Sequence, residues 1–491
     1  MGSQFLGIDI GTSAVKAVLM DEAGSVSAQA SAPLAVSRPH PLWSEQEPQD
    51  WWNAANAAVL ALDPAMRAEV RAVGLSGQMH GATLLDRQNR PLRPAILWND
   101  GRSGAECAAM EAECPELPLI TGNRAMPGFT APKLRWVREH EPQVFKQVAK
   151  VLLPKDYVRF RMTGAMASDM SDSAGTLWMD VARRDWSDVM LALTGLGRSQ
   201  MPELFEGDAL TGELSADIAR EWGMGRVPVA AGGGDNAAGA VGVGVVKPGD
   251  GFLSLGTSGV LFLANEMYRP NPMGGVHTFC HALPGRWHQM SVILSAASCI
   301  DWALRLCGLP DPATLLALVE ARNAPATSEI FLPYLSGERT PHNDPDAKGV
   351  LFGLTHESDC AAIGQAVLEG VAFAFRDGLD ALIDTGAAIE NITVIGGGSR
   401  SAYWGRILAS ALGRRLTYRG GGEVGPAYGA ARLARLGVCG GAVEDVCAPP
   451  PVVNEIEPDA SLSEAFEPRV KQYRAIYRAL KPTQTSGAQK N

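Results

Sequence analysis

Phe5-Leu6-Gly7-Ile8-Asp9-Ile10-Gly11-Thr12-Ser13 is an apolar strand pattern running into a turn of one glycine and two hydroxyl residues. Halfway along the chain a close variant returns, Phe252-Leu253-Ser254-Leu255-Gly256-Thr257-Ser258. In both places a second apolar run follows, Ala14 to Met20 and Val260 to Ala264, so each copy reads as strand, Gly-Thr-Ser turn, strand. Two copies separated by about half of the 491 residues predict two related halves, not one domain with a long tail. Aligning the turns puts Ser254 opposite Asp9, so only the first copy carries a carboxylate.

Working outward, a turn at Asp21-Glu22-Ala23-Gly24 and the run Ser25 to Ala30 complete a three-stranded antiparallel meander. A helix follows, with Pro48 in its first turn and an apolar face of Trp51, Trp52, Ala55, Val59 and Leu62. Val70 to Ser76 reads as a buried strand ending in the loop Gly77-Gln78-Met79-His80-Gly81. Ala95 to Trp98 is another, ending in Asn99-Asp100-Gly101-Arg102. The middle segment reads as largely helical, with Lys155-Asp156-Tyr157 and Asp169-Met170-Ser171-Asp172 as polar loop interruptions. Val227 to Ala231 then leads into Gly232-Gly233-Gly234-Asp235-Asn236 and a small-residue helix. In the second half, strand Ile392 to Ile395 precedes the loop Gly396-Gly397-Gly398-Ser399 and a helix from Ser401. A helix starting at Gly425 is expected to pack on that loop. A helix from about Pro468 to Leu480 and a disordered polar tail from Lys481 are expected to end the chain.

Composition limits the partners. A net charge of −10 with no basic block disfavours nucleic acid and anionic membranes, so an anionic ligand must meet local donors. No apolar run reaches the length of a bilayer span, and no secretion signal opens the sequence, so a cytoplasmic location is expected. The eight cysteines form no Cys-x-x-Cys pair and read as reduced core thiols. His277 and His281 have helical i, i+4 spacing, but the Glu of a metalloprotease helix is missing, which favours structural or substrate-lining histidines over a metal site.

The turns suggest the chemistry. Gly-Thr-Ser between strands offers backbone N–H groups and hydroxyls for polyphosphate without a Walker lysine, and no Gly-x-x-x-x-Gly-Lys-Ser/Thr motif occurs. Asp9 beside the first turn suits Mg²⁺, which needs one or two protein carboxylates plus phosphate oxygens. The loop at Gly396 lacks the glycine spacing of a dinucleotide fingerprint, which disfavours NAD. Three glycines before Asp235 let a ligand approach the main chain and present one carboxylate where strand gives way to helix. As a phosphoryl-transfer base Asp235 is expected to stay ionised at the helix N-terminus; as a plain helix cap it needs no ligand, and the motif alone leaves both open. Gln78, Met79, His80, Trp98, Asn99, Asp100 and Asn236 are the candidate contacts of a polyhydroxylated acceptor.

These motifs together resemble the FGGY family of carbohydrate kinases over nearly the whole chain, including Ser37 to Gln46, Gly77 to Thr83, Ile96 to Arg102, Gly232 to Gly244 and Phe331 to Leu354. The resemblance implies an α/β protein of two ribonuclease-H-like domains of the actin, Hsp70 and sugar-kinase superfamily. Each would be a mixed sheet flanked by helices, with the ligand cleft between them. The domains would span 1–245, carrying Asp9 and Asp235, and 246–480 on the nucleotide side, with a tail at 481–491. The implied reaction is ATP-dependent phosphorylation of D-xylulose at its 5-hydroxyl. Asp235 would be the proton acceptor, Asp9 would assist metal and phosphate binding, and Mg²⁺ would sit near both carboxylates. Met79 and His80 would contact the sugar. Gly11, Thr12, Ser13, Lys16, Gly256, Thr257, Ser258, Gly397, Gly398 and Ser399 would hold the nucleotide. A homodimer is compatible with this reading. Its rivals are a kinase of the same family for ribulose, gluconate or glycerol, and a nucleotide-switched binding protein.

Overall fold

The computed structural model describes residues 2–322, 326–420 and 425–485. Two seven-stranded mixed sheets carry the two halves. In the first, Gln4–Ile10 pairs antiparallel with Ala14–Asp21, which pairs antiparallel with Val26–Pro33. On its other side Gln4–Ile10 pairs parallel with Val70–Gly77, which pairs parallel with Pro228–Ala230. The second sheet repeats the order. Asp250–Leu255 lies antiparallel to Gly259–Asn265 and parallel to Asn391–Ile395, which is parallel to Leu416–Arg419. The predicted meander and the repeat are both present, and each sheet is flanked by helices. The copies differ in the turn: Gly11 N–H closes on Ala14 O at 3.1 Å, whereas Gly256 N–H closes on Ser258 O at 3.1 Å, one residue sooner.

Five local expectations are corrected. Lys155 to Tyr157 lie within the helix Pro154–Thr163, and Asp169 ends the strand Ala167–Asp169 and caps the helix Met170–Ala174. These polar residues are buried in a charge network, so polarity misread them as loops. His277 and His281 are not on a helix: His277–Cys280 is an edge strand of the second sheet. The last helix starts at Ala460, contains Pro468, and runs to Thr485, so Lys481 to Thr485 are helical. Cys439 is exposed, unlike a core thiol.

The fifth correction concerns Gly425–Cys439, which packs on the first sheet and on the helix Asp235–Val243 and not on the loop at Gly396. Glycines make this possible. A Cβ on Gly7 would lie 1.8 Å from Ala427 O, one on Gly74 would lie 1.9 Å from Ala430 O, and one on Gly429 would lie 1.8 Å from Ala238 O. The chain therefore returns from the second half to cover the first. A second connection is a single apolar core that contains Leu134, Trp178 and Met190 together with Phe252, Phe262 and Phe279. Among the described residues no single helix is long and apolar enough to cross a membrane.

Candidate active site

The glycine loop is built to deliver Asp235. Gly232 has φ +79° and no room for a side chain, since a Cβ would lie 1.8 Å from Leu75 O. Gly233 and Gly234 add a short parallel pairing to Ser76 and Gly77, the residues that pair on their other side with Asp9 and Ile10. Asp9 and Gly233 thus flank Ser76 across two strand spacings, about 10 Å. Gly234 is the N-cap residue, and Asp235 is the first residue of its helix. Asp235 Oδ1 accepts from Asn236 N–H at 2.7 Å and from Asn236 Nδ2 at 2.9 Å.

The expectation that the helix N-terminus keeps Asp235 fully ionised is overturned. Burial, then the charge of Asp9, push the Asp235 carboxyl up to about 7, against the bonds from Asn236. Burial pushes Asp9 up to about 6, with Ser76 and Lys16 working the other way. Lys16 stands directly opposite Asp9 on the neighbouring strand. Asp9 Oδ1 is buried and has no hydrogen-bond partner among the described residues. Two neighbouring carboxylates, one with an orphaned acceptor oxygen, fit a hydrated Mg²⁺, whose binding favours their ionised forms.

On the acceptor side, Met79 is buried, and its side chain meets Gly234, where a Cβ would lie 3.0 Å from Met79 Cγ. The loop thus touches the backbone that carries Asp235. His80 has φ +70°, and its Nδ1 donates to Gly175 O at 2.7 Å, which leaves Nε2 as an acceptor. Burial and nearby cations hold the His80 ring neutral, with its pKa near 3. Gln78 is turned inward. It accepts from Thr12 Oγ1 at 3.0 Å and donates to Gln46 Oε1 at 2.9 Å, so it braces the first Gly-Thr-Ser turn. Trp98 Nε1 donates to Thr12 Oγ1 at 3.0 Å, and Asn99 is exposed beside it. Asp100 does not reach the cleft. Its carboxylate is saturated by Ser44 N–H at 2.6 Å and by Arg102 Nε and an Arg102 terminal nitrogen at 2.9 and 2.7 Å, and its side chain has 0% exposure. The expectation that it binds substrate is therefore corrected: charge pairing with Arg102 claims it for the structure.

On the nucleotide side, Thr257 and Ser258 are exposed, and the turn is fixed by Ala296 N–H and Ser298 Oγ bonding to Thr257 O at 2.9 and 2.8 Å. Gly397 and Gly398, in the same short turn as Ser399, border a cavity of about 710 Å³ walled by Ile300, Leu316, Tyr403 and Trp404. Gly398 has no room for a Cβ, which would meet Trp404 at 2.8 Å and Leu255 at 2.9 Å. An apolar slot opening past glycine backbone suits a purine nucleoside.

Sequence reasoning missed the ions beneath the glycine loop. Lys155 Nζ lies 2.6, 2.7 and 3.1 Å from Asp156, Asp169 and Asp172, all with no exposed side chain. Burial opposes the Lys155 charge, but the three aspartates hold it above the ordinary value, while burial drives the Asp172 carboxyl well up. Arg159 donates to Ala230 O at 2.8 Å and to Ala231 O. Ser171 Oγ accepts from Gly234 N–H at 3.0 Å. The strand and loop that end in Asp235 are thereby tied down at three backbone groups. Only the spacing Lys155, Asp156, Arg159 on one helical face signalled this.

Two halves of one fold, a pair of neighbouring carboxylates and a glycine-bordered apolar cavity fit an actin-like sugar kinase. Comparison with known proteins agrees. Residues 4–242 match the N-terminal domain, and residues 251–437 the C-terminal domain, of the FGGY family of carbohydrate kinases, and the chain belongs to that family. It is 55% identical over 480 residues to the xylulose kinase of Escherichia coli (strain K12), covering 97% of this chain and 99% of that protein. It is 37% identical to the xylulose kinase of Bacillus subtilis (strain 168), covering 88% of each. Among solved structures, a xyloylose kinase from Brucella ovis superposes with a TM-score of 0.94 at 50% identity, covering 98% of this chain and 100% of that one.

Proposed function

We propose that this kinase phosphorylates D-xylulose at the 5-hydroxyl with ATP, giving D-xylulose 5-phosphate and ADP, with Asp235 as the base. The observation that carries this reading is the Asp235 carboxyl, held near 7 beside Asp9: a carboxylate with that affinity takes a hydroxyl proton more readily than an ordinary one at neutral pH. The close likeness to xylulose kinases supports the choice of acceptor.

In this reading Met79, His80, Trp98, Asn99 and Asn236 line the acceptor side, and Asp235 Oδ2, the oxygen not bonded to Asn236, faces the reacting hydroxyl. The proton leaves that hydroxyl as its oxygen attacks the γ-phosphorus, and ADP departs. The two Gly-Thr-Ser turns, with Lys16, offer backbone N–H groups and hydroxyls to the phosphates, and Gly397, Gly398 and Ser399 border the nucleoside. Asp9, with its orphaned oxygen, would hold Mg²⁺ together with Asp235, whose carboxyl feels the Asp9 charge. Bound there, the ion would neutralise the charge on the transferring phosphoryl group. We assign residues 1–245 and 246–480 to the two domains, with Gly425–Cys439 packed back on the first and the tail beyond 480.

The test is an ATP-coupled assay over D-xylulose, ribulose, gluconate, xylitol and glycerol. D-Xylulose is expected to give the highest kcat/KM. A higher value with another acceptor would transfer the assignment to a different substrate of the family.

A further inference from the structure

Arg339 comes from the second half and meets His277, which packs through Phe129 on the acceptor loop of the first. Its backbone N–H donates to Glu338 Oε1 at 2.7 Å, and that oxygen also accepts from Leu294 N–H at 3.1 Å. The guanidinium itself forms no ion pair among the described residues. One terminal nitrogen lies 3.5 Å from His277 Nε2. His277 Nδ1 donates to Asn123 Oδ1 at 2.9 Å, so Nε2 is the acceptor and Arg339 the donor. The Phe129 ring joins this histidine to the sugar loop, with its centroid 5.6 Å from His277 and 4.7 Å from His80. The Arg339 charge lowers the proton affinity of His277 and, behind that of Lys133, of His80.

A half-buried guanidinium has five N–H donors, and here one long bond to His277 uses one of them. The other donors have no acceptor among the described residues and are left for a ligand or solvent. Contacts run from Asp235 through Gly234 and Met79 to His80, and on through the Phe129 and His277 rings to Arg339 at the far end. We propose that Arg339 binds the end of the acceptor remote from the reacting hydroxyl, its fork donating to the carbonyl and adjacent hydroxyl of an open-chain ketose. This rests on the phosphorylation reading above, and it makes acceptor selection a joint property of the two halves. A planar fork matches two neighbouring oxygens, and a site built to bond them penalises an acceptor that lacks one.

Steady-state kinetics of Arg339→Met on the full-length enzyme tests this. KM for D-xylulose is expected to rise about 10- to 100-fold, the loss typical of one charged donor pair, with kcat much less affected. KM for ATP and sugar-free ATP hydrolysis should not change, and the preference for D-xylulose over xylitol should shrink. An unchanged KM for D-xylulose overturns the proposal, and so does an equal rise in KM for ATP, which would mark Arg339 as a brace of the fold. If Arg339→Met does not fold, Arg339→Lys keeps the charge without the fork. Its KM for D-xylulose should still rise several-fold, and a wild-type value overturns the proposal. Failure of the unaltered enzyme to turn over D-xylulose would instead overturn the reaction itself and this inference with it.

Discussion

Asp235 is subject to opposing influences: it starts a helix, whose dipole favours the ionised form, but burial and Asp9 favour the protonated form and prevail. Replacing it tests its role with little change in volume. Asp235→Asn is expected to lower kcat by about 10²-fold or more while ATP affinity, followed by titration calorimetry, stays nearly intact. The pH profile of kcat/KM reports the free enzyme. Because the base must be deprotonated, activity should fall as pH drops through about 7, the value set for Asp235. Asp9→Asn removes a like charge, so the acid limb should move to lower pH even as use of Mg²⁺-ATP weakens; a limb that stays in place would separate the two carboxylates. The sign for stability is opposite to that for catalysis. A folded-state pKa above the ordinary value of 3.8 means that the stabilising proton is bound at low pH and lost as pH rises through about 7. Asp235→Asn should therefore raise the thermal unfolding temperature by a few degrees at pH 8 and have little effect below pH 4.

At the scale of elements, the helix Gly425–Cys439 and the ions beneath the glycine loop hold Asp235 in place from two sides. Gly429 faces Ala238 in the helix that Asp235 begins, and the 1.8 Å approach of a Cβ to Ala238 O leaves no space for one. Gly429→Ala should force the helices apart, cost about 1–3 kcal/mol, and reduce kcat through Asp235 without removing any polar group. Scanning calorimetry and assay of the same sample check both effects. Lys155→Met strands Asp156 and Asp169 as buried charges without their cation, and a loss of about 3–5 kcal/mol is expected, read as a fall in unfolding temperature. The sequence did mark the helix at Gly425 by its small residues, but not its destination. Small residues announce that something comes close without naming what does. Likewise Asp169 to Asp172 looked solvated because a charge run usually is, and the cation opposite is 14 residues or more away along the chain.

For the whole molecule, the halves are joined by the apolar core that Leu134 and Trp178 share with Phe252 and Phe279, and by Gly425–Cys439 packed on the first sheet. Phosphoryl transfer to a sugar rather than to water favours closure on the acceptor. Small-angle scattering is expected to show a smaller radius of gyration with D-xylulose than without it, and no change would leave the cleft rigid. Much of this architecture was legible from sequence. The two Gly-Thr-Ser turns, their flanking strands, the single carboxylate at Asp9 and the glycines before Asp235 are local patterns, and local patterns dictate backbone conformation directly. The tertiary structure alone decided that Asp100 turns away to Arg102, that Gln78 braces a turn, that Gly425–Cys439 crosses to the first sheet, and that Arg339 meets His277. It also set the proton affinity of Asp235, because burial and the charge of Asp9 depend on which distant segments meet, and one-dimensional order does not record those distances.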